Sequence, residues 1–384
     1  MKKTAIIFGA GKTGRGFAAH LAHLGGYEVV LIDKDPQLVT ALINAGKFDI
    51  QVLGNEGRNC TISPKAVYHI TDTGWYKEML SADLLFCSVF GNNLEELAKD
   101  LAEGFKARYT SNPDQRINLI TCENFTNAAS FLKENISQNL DDTIIKWLNE
   151  NVGFSESMVL RTCIGASENQ DPLTIMAQNF FELPCDGEAF KGEIPDVYGL
   201  KPHTNFSKQL RRKIFTYNCI NAVITYLGAQ KGYTQLYEGG TDPEIIAIAR
   251  QAAIETSEAQ IAEFGFDKKE QYGWVEAAFA KFADTSLPDP ISRNGADPAR
   301  KLSRNDRLIG PSMLAIKHNI QPKGLLRGIL AGFDFYDEKR KIKFTDQISE
   351  KGLDHVLTEI CGLAPSDGLF DLLKKEFENK EDSE

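Results

Sequence analysis

Two rhythms of apolar residues divide this chain. In the first half, short apolar runs stand between helical repeats: Ala5-Ile6-Ile7-Phe8, Val29-Val30-Leu31-Ile32, Leu84 to Val89 and Ile117 to Thr121. Unbroken apolar runs that end in glycine or a charge mark strands buried on both faces, as in a parallel sheet. Between the first two, Phe17, Leu21 and Leu24 recur at i, i+4 and i+7 and predict a helix that Gly25-Gly26 ends. Strand and helix in alternation predict an α/β fold, with an N-terminal Rossmann-type parallel-sheet domain.

After about residue 195 helical periods take over. One helix is expected from near Phe206 to about Leu227. Another opens at Thr241-Asp242-Pro243-Glu244, which offers a cap and an early proline, and runs to about Phe264, where Gly265 stops it. Glycine and proline cluster between Gly187 and Pro202. The expected division is therefore a dinucleotide-binding domain over 1–195 and a mainly α-helical substrate domain over 196–384. The charged tail from Lys374 to Glu384 is expected to fray.

Composition narrows the class. Of 384 residues, 42% are hydrophobic and 25% charged, which suits a globular protein and not a disordered, collagen-like or coiled-coil one. Lys and Arg number 43 against 53 Asp and Glu, a net charge of −10, which disfavours nucleic acid and anionic membranes as partners. No apolar run approaches the length of a membrane span. The run at 5–8 is too short for a signal peptide, so the expected compartment is the cytoplasm. The seven cysteines, an odd number with no C-x-x-C spacing, fit reduced structural thiols. No H-E-x-x-H occurs; His20 and His23, three apart, read as a surface or half-buried helix face, and no metal is expected.

The first chemistry lies in Gly9-Ala10-Gly11-Lys12-Thr13-Gly14, a G-x-G-x-x-G that follows a strand and opens a helix. Asp33 stands at the end of the next strand, nineteen residues after Gly14. In a dinucleotide loop Gly9 permits the tight turn, Gly11 lets backbone approach a pyrophosphate, and Gly14 packs strand against helix. The helix N-terminus favours the anion. Asp33 would accept from a ribose diol and repel a 2′-phosphate, so NAD is favoured over NADP, with Lys34 beside it able to soften that preference. A ligand-free glycine turn and a methyltransferase loop are the alternatives. Ser88, Val89 and Phe90 follow an apolar strand and are expected to flank the cofactor. Arg15 would touch cofactor phosphate or lie on the helix surface.

The second constellation is Lys213-Ile214-Phe215-Thr216-Tyr217-Asn218-Cys219-Ile220-Asn221. At about 100° per residue, Asn218 falls about 140° and Asn221 about 80° from Lys213, so the three share one side of an α-helix. Ile220, Ile224 and Leu227 take the neighbouring arc. Burial lowers a lysine pKa and makes a general base near neutrality, and asparagine amides can donate to an alkoxide. A lysine snorkelling to solvent beside two structural asparagines is the alternative. Arg293, Arg300, Lys301 and Arg307 form a basic cluster suited to a phosphate or to ion pairs.

A set of motifs running nearly end to end is more specific. It comprises Phe8 to Phe17, Cys122-Glu123-Asn124, Asn151 to Phe154, Lys213 to Asn218, Ala222 to Gly228, Gly265-Phe266-Asp267, and Arg300 to Ser303 followed by Asp306 to Ile309. With these the chain resembles the polyol-specific long-chain dehydrogenases, and most closely their compact sugar-phosphate branch. The resemblance implies a monomer that uses NAD, without zinc, to interconvert a polyol phosphate and a ketose phosphate, mannitol 1-phosphate and fructose 6-phosphate. It implies Lys213 as general base, and Asn124 and Asn218 as stabilisers of the oxyanion. The active site is expected in the cleft between the domains. The chain departs from the family pattern at Asn221, where the pattern has histidine; asparagine can hydrogen-bond a substrate oxygen but cannot titrate near neutrality. Ala296 stands where the phosphate-specific pattern often has a basic residue. Glu123 reads as a structural carboxylate beside Asn124, and His203 is given no catalytic role. The alternatives are a dehydrogenase of an unphosphorylated polyol or hexuronate and a non-catalytic NAD-binding sensor.

Overall fold

A computed structural model describes residues 2–123, 127–166, 170–286 and 288–381. The chain divides into two compact units, Met1–Ser207 and Lys208–Glu384.

In the first unit, β1 (Thr4–Phe8), β2 (Glu28–Asp33), β5 (Ala66–His69), β6 (Leu84–Cys87), β7 (Ile117–Thr121) and β8 (Val152–Glu156) form a six-stranded parallel sheet in the order β5–β2–β1–β6–β7–β8. Side chains alternate between faces, and both faces are covered. Ile6, Phe8, Val30, Ile32 and Leu85 pack on one side with Trp75, Met79, Leu101 and Phe105. Ala5, Ile7, Val29, Leu31 and Phe86 pack on the other with Phe17, Leu21 and Leu42. That two-sided burial is why the strands read as unbroken apolar runs.

The helices of this unit are α1 (His20–Leu24), entered through a π-helical turn at Gly14–Ala19, α2 (Pro36–Ala45), α3 (Trp75–Ser81), α4 (Leu94–Ser111), α5 (Ala128–Ser137) and α6 (Asp142–Asn151). Short strands unmarked in the sequence pattern make two further sheets. The strands β3 (Phe48–Val52), β4 (Cys60–Ile62), β9 (Cys163–Gly165) and β10 (Ile175–Ala177) form one, and β11 (Leu183–Asp186) pairs with β12 (Leu200–His203) in the other. His203 ends β12, and the glycine- and proline-rich stretch 187–202 lies wholly within the first unit.

Strand register positions the functional loops. Phe8 lies level with Ile32 on one side and Cys87 on the other, and Cys87 lies level with Thr121. The residues that leave these four strands, Gly9, Asp33, Ser88 and Cys122-Glu123, therefore emerge together at the carboxyl edge of the sheet, where ligands bind in open α/β folds.

The second unit is helical: α7 (Phe206–Lys213), a π-helical turn at Ile214–Asn218, α8 (Cys219–Gln230), α9 (Leu236–Thr241), α10 (Pro243–Phe264), α11 (Lys268–Phe282), α12 (Ile291–Gly295), α13 (Pro298–Lys301), α14 (Ile309–Lys317), α15 (Lys323–Asp334), α16 (Phe344–Lys351), α17 (Leu353–His355) and α18 (Gly368–Glu381). Helix α10 begins where Asp242 accepts the amides of Glu244 (2.9 Å) and Ile245 (3.0 Å) with Pro243 in the first turn, and it ends at Gly265 with φ +65°. Helix α8 is buried over most of its length, from Ala222 to Gly228 without a break, where it packs against α10, α12 and α15. Helix α18 spans Gly368–Glu381 and so takes in most of the charged tail expected to fray; Leu369, Phe370 and Leu373 are buried in its first half, and Lys374 pairs with Asp354 at 2.8 Å. Among the described residues no helix is long and apolar enough to cross a membrane, and the seven cysteines are free thiols.

Candidate active site

The carboxyl edge of the sheet opens a cavity of about 290 Å³, bordered by Gly9, Gly11, Asp33, Lys34, Ser88 and Val89. Its glycines differ in what they permit. Gly9 sits at φ +92°, and a Cβ there would lie 2.1 Å from the Ser88 carbonyl oxygen. A Cβ on Gly14 would lie 1.8 Å from the Gly9 oxygen, so only glycine lets the helix start this close to the strand. A Cβ on Gly11 would meet nothing within 4 Å; this backbone faces open space, as a loop that receives a pyrophosphate must. Ala10 is buried, and its amide donates to Asp33 Oδ2 at 2.6 Å; the Asp35 amide donates to Oδ1 at 2.9 Å. Asp33 is thus oriented at the cavity rim. Lys12 is exposed, and Thr13 is half-buried with no capping bond from its side chain.

Arg15 corrects its expected placement. It is buried rather than on the helix surface, with Nε donating to Ala10 O (2.8 Å), a second donor on Leu173 O, and its guanidinium over the Phe48 ring. Its donors brace the glycine loop from behind. His20 is also fully buried and not half-buried. Its Nδ1 lies 2.9 Å from Arg161, and burial drives its pKa down to about 3, while His23 is exposed.

A further wall, which the sequence pattern did not mark, comes from Asn93 and the start of α4: Asn93, Glu96, Leu97 and Asp100 border the cavity. Glu96 and Asp100, one turn apart near the start of an amphipathic helix, were the available signal. Glu123 is buried, and its Oε1 accepts the amides of Val89 (2.5 Å) and Phe90 (3.0 Å). Burial pushes its carboxyl up to about 7 although both amides pull it down. Asn124 lies outside the described residues.

In the second unit Lys213 is buried, at 6% exposure. Burial, then the Arg307 and Lys281 cations, bring its amine down to about 7. The helix around it differs from the expected α-helix. Ile214–Asn218 is a π turn, whose wider winding brings Asn218 nearer the line of Lys213 than the about 140° of an α-helix. Side chains from two other helices accompany the turn. Thr256 Oγ1 donates to Phe215 O at 2.9 Å, while Gln260 (3.1 Å) and Gln271 (2.9 Å) donate to Thr216 Oγ1. Arg212 Nε in turn donates to Gln271 Oε1 at 2.8 Å.

Asn221 is half-buried and donates to Asn294 Oδ1 at 3.1 Å; Asn294 donates onward to Asp289 Oδ1 at 2.6 Å. The basic residues fall into two kinds. Arg293 pairs with Asp289 (3.1 Å), and Arg300 with Asp297 and Asp306 (3.2 Å each); both are exposed. Arg307 pairs with Asp306 at 2.7 Å and is largely buried. Lys301 is buried, its ammonium donates to Asn294 O, and burial with Arg307 and Arg300 nearby brings it down to about 7. Ala296 is half-buried between α12 and α13.

The family model described as the mannitol dehydrogenase Rossmann domain matches residues 3–199, and that described as the mannitol dehydrogenase C-terminal domain matches 205–359. A mannitol-1-phosphate 5-dehydrogenase of Bacillus subtilis (strain 168) is 33% identical over 376 residues, 97% of this chain and 98% of its own. Its namesake from Bacillus pumilus (strain SAFR-032) is 32% identical over 97% and 99%. Among solved structures, a substrate-free D-sorbitol dehydrogenase superposes with a TM-score of 0.73 at 14% identity, covering 88% of this chain and 82% of its own. A Pseudomonas fluorescens mannitol 2-dehydrogenase in ternary complex with NAD and D-mannitol gives 0.70 at 13% identity, over 96% and 90%. At these identities the two structures share the fold.

Proposed function

The chain belongs to the mannitol dehydrogenase family, and we propose that it is an NAD-dependent, zinc-independent oxidoreductase interconverting a polyol phosphate and a ketose phosphate, mannitol 1-phosphate and fructose 6-phosphate. The observation that carries the proposal is Lys213, a buried amine brought to about 7. Near neutrality it is divided between free amine and ammonium, as a group that both takes and returns a proton must be. The names of the Bacillus relatives, matched over nearly the full chain, support the substrate pair.

The loop Gly9 to Gly14, with Asp33, Ser88 and Val89, would hold the dinucleotide. The open backbone at Gly11, the close contact at Gly14 and the acceptor at Asp33 fit it. Bound NAD supplies the hydride acceptor for oxidation and, when reduced, the hydride donor for the reverse. In oxidation the Lys213 Nζ lone pair takes the substrate hydroxyl proton as the carbinol carbon gives up its hydride. In reduction the ammonium returns a proton to the ketose oxygen. The amides of Asn218 and Asn124 would donate to that oxygen while it carries negative charge. Asn221 would hydrogen-bond substrate without titrating, and Arg293, Arg300, Lys301 and Arg307 are the phosphate candidates.

An unphosphorylated polyol or hexuronate is the second candidate. It is favoured by the carboxylates that already engage Arg293, Arg300 and Arg307, with which a phosphate would have to compete. The test is oxidation of NADH by the purified protein with fructose 6-phosphate, fructose, tagaturonate or fructuronate, with Lys213→Ala as control. Turnover of fructose 6-phosphate, abolished in the variant, is expected. Turnover of another ketose alone would overturn the phosphate, and NAD binding without turnover of any would favour a sensor.

A further inference from the structure

We propose that Glu96 sets the coenzyme preference of the dinucleotide cavity by holding the ammonium of Lys34, so that the cavity accepts NAD(H) and refuses the 2′-phosphorylated coenzyme. This rests on the dinucleotide site proposed above and assigns its selectivity to a pair on two different elements.

Lys34 follows Asp33 at the rim of the cavity. A free ammonium beside the carboxylate that receives a ribose diol is the feature that would admit a 2′-phosphate, because phosphate binds ammonium more strongly than water does. This ammonium is engaged. Its Nζ donates to Glu96 Oε2 at 3.0 Å and to Asn93 Oδ1 at 2.9 Å. Asn93 is itself held, donating from Nδ2 to the Val89 carbonyl at 2.5 Å. The link therefore runs from the end of β2 across the cavity rim to the first turn of α4, and all of these residues border the cavity.

The charge balance points the same way. Asp33, Asp35, Glu96 and Asp100 border the cavity against one cation, Lys34, among its described lining residues. Lys34 and Glu96 are both well exposed, at 54% and 69% of their side chains, so the pair adds little to folding stability. Its consequence is where the positive charge sits. Such an exposed pair is screened by salt, so discrimination should weaken as ionic strength rises.

The wild-type protein, Glu96→Gln, Lys34→Ala and the double variant are titrated with NADH and with NADPH, following quenching of tryptophan fluorescence. Wild type is expected to prefer NADH. Glu96→Gln should tighten NADPH by up to about fivefold, the scale of the exposed pair it removes, and leave NADH within about twofold. The gain should vanish in the double variant, because it depends on the released lysine. An unchanged NADPH-to-NADH ratio in Glu96→Gln would overturn the proposal. So would a gain that persists without Lys34, since Glu96 would then act by its own charge. If wild type binds no NADH, the dinucleotide site and this inference fall together; if it binds NADH with the ratio unmoved by Glu96→Gln, the inference falls alone.

Discussion

Glu123 accepts the backbone amide of Val89 at 2.5 Å, and the same oxygen takes the amide of Phe90 at 3.0 Å. One buried carboxylate at the end of β7 thus holds the loop that leaves β6. Phe90 is 78% exposed and sits at φ +68°, a conformation that persists only where its surroundings impose it. Glu123→Ala should loosen this wall of the cavity and weaken NADH binding by about tenfold, while Glu123→Gln, which keeps an acceptor oxygen, should bind nearly as wild type. Titration of each variant with NADH checks this. The carboxyl is raised from 4.5 to about 7, so its contribution to stability is full below about 4.5 and is lost as pH rises through about 7. Thermal melts of Glu123→Gln should lack that part of the wild-type decline; equal declines would count against it.

Lys213 predicts opposite pH dependence for the two directions of reaction. Its pKa is lowered to about 7, so the free amine accumulates as pH rises through that value. Polyol oxidation should rise over that interval and ketose reduction should fall, as rate profiles in both directions will show. Lys213→Ala should lower kcat by about 10² to 10⁴. Lys213→Arg, charged throughout, should also fail to oxidise.

Gly11 and Gly14 should separate binding from folding. Gly14→Ala places a methyl against the Gly9 carbonyl, so the strand–helix contact must open, at a cost of about 1–3 kcal/mol. Gly11→Ala meets no protein atom and should melt like wild type, yet bind NADH at least about tenfold more weakly because the methyl occupies the approach to the pyrophosphate. Melting curves and NADH titration of both variants decide the matter. Equal loss of stability in the two would contradict the assignment.

Thr216 accepts from two buried glutamines at the π turn. Thr216→Val leaves both amides without that acceptor and should cost about 1–3 kcal/mol in urea unfolding. If the turn also governs the surroundings of Lys213, the midpoint of the oxidation profile should shift in this variant. An unmoved midpoint would make the threonine purely structural.

The parts of this protein that the sequence determined are those set by neighbours along the chain. The run Ala5 to Phe8, the glycine loop and the acid at Asp33 are local signals: a strand buried on both faces, a turn without room for side chains, and a charge where the next strand ends. Asp242-Pro243 and Gly265 bound α10 for the same reason, since caps act within a turn. Lys213 and its asparagines were legible as residue types on an expected helix, but the π turn within that helix was not. The π turn at Ile214–Asn218 comes with hydrogen bonds from Thr256, Gln260 and Gln271, about forty or more residues further on. Tertiary structure likewise decided that Arg15 turns inward to the Leu173 carbonyl, that Glu123 reaches across to Val89, and that the start of α4 borders the cavity. Burial shifts Glu123, Lys213 and Lys301, against two backbone amides at Glu123 and together with neighbouring cations at the lysines, and all of these depend on which distant segments pack against a side chain. A pattern of neighbours along the chain carries no record of that.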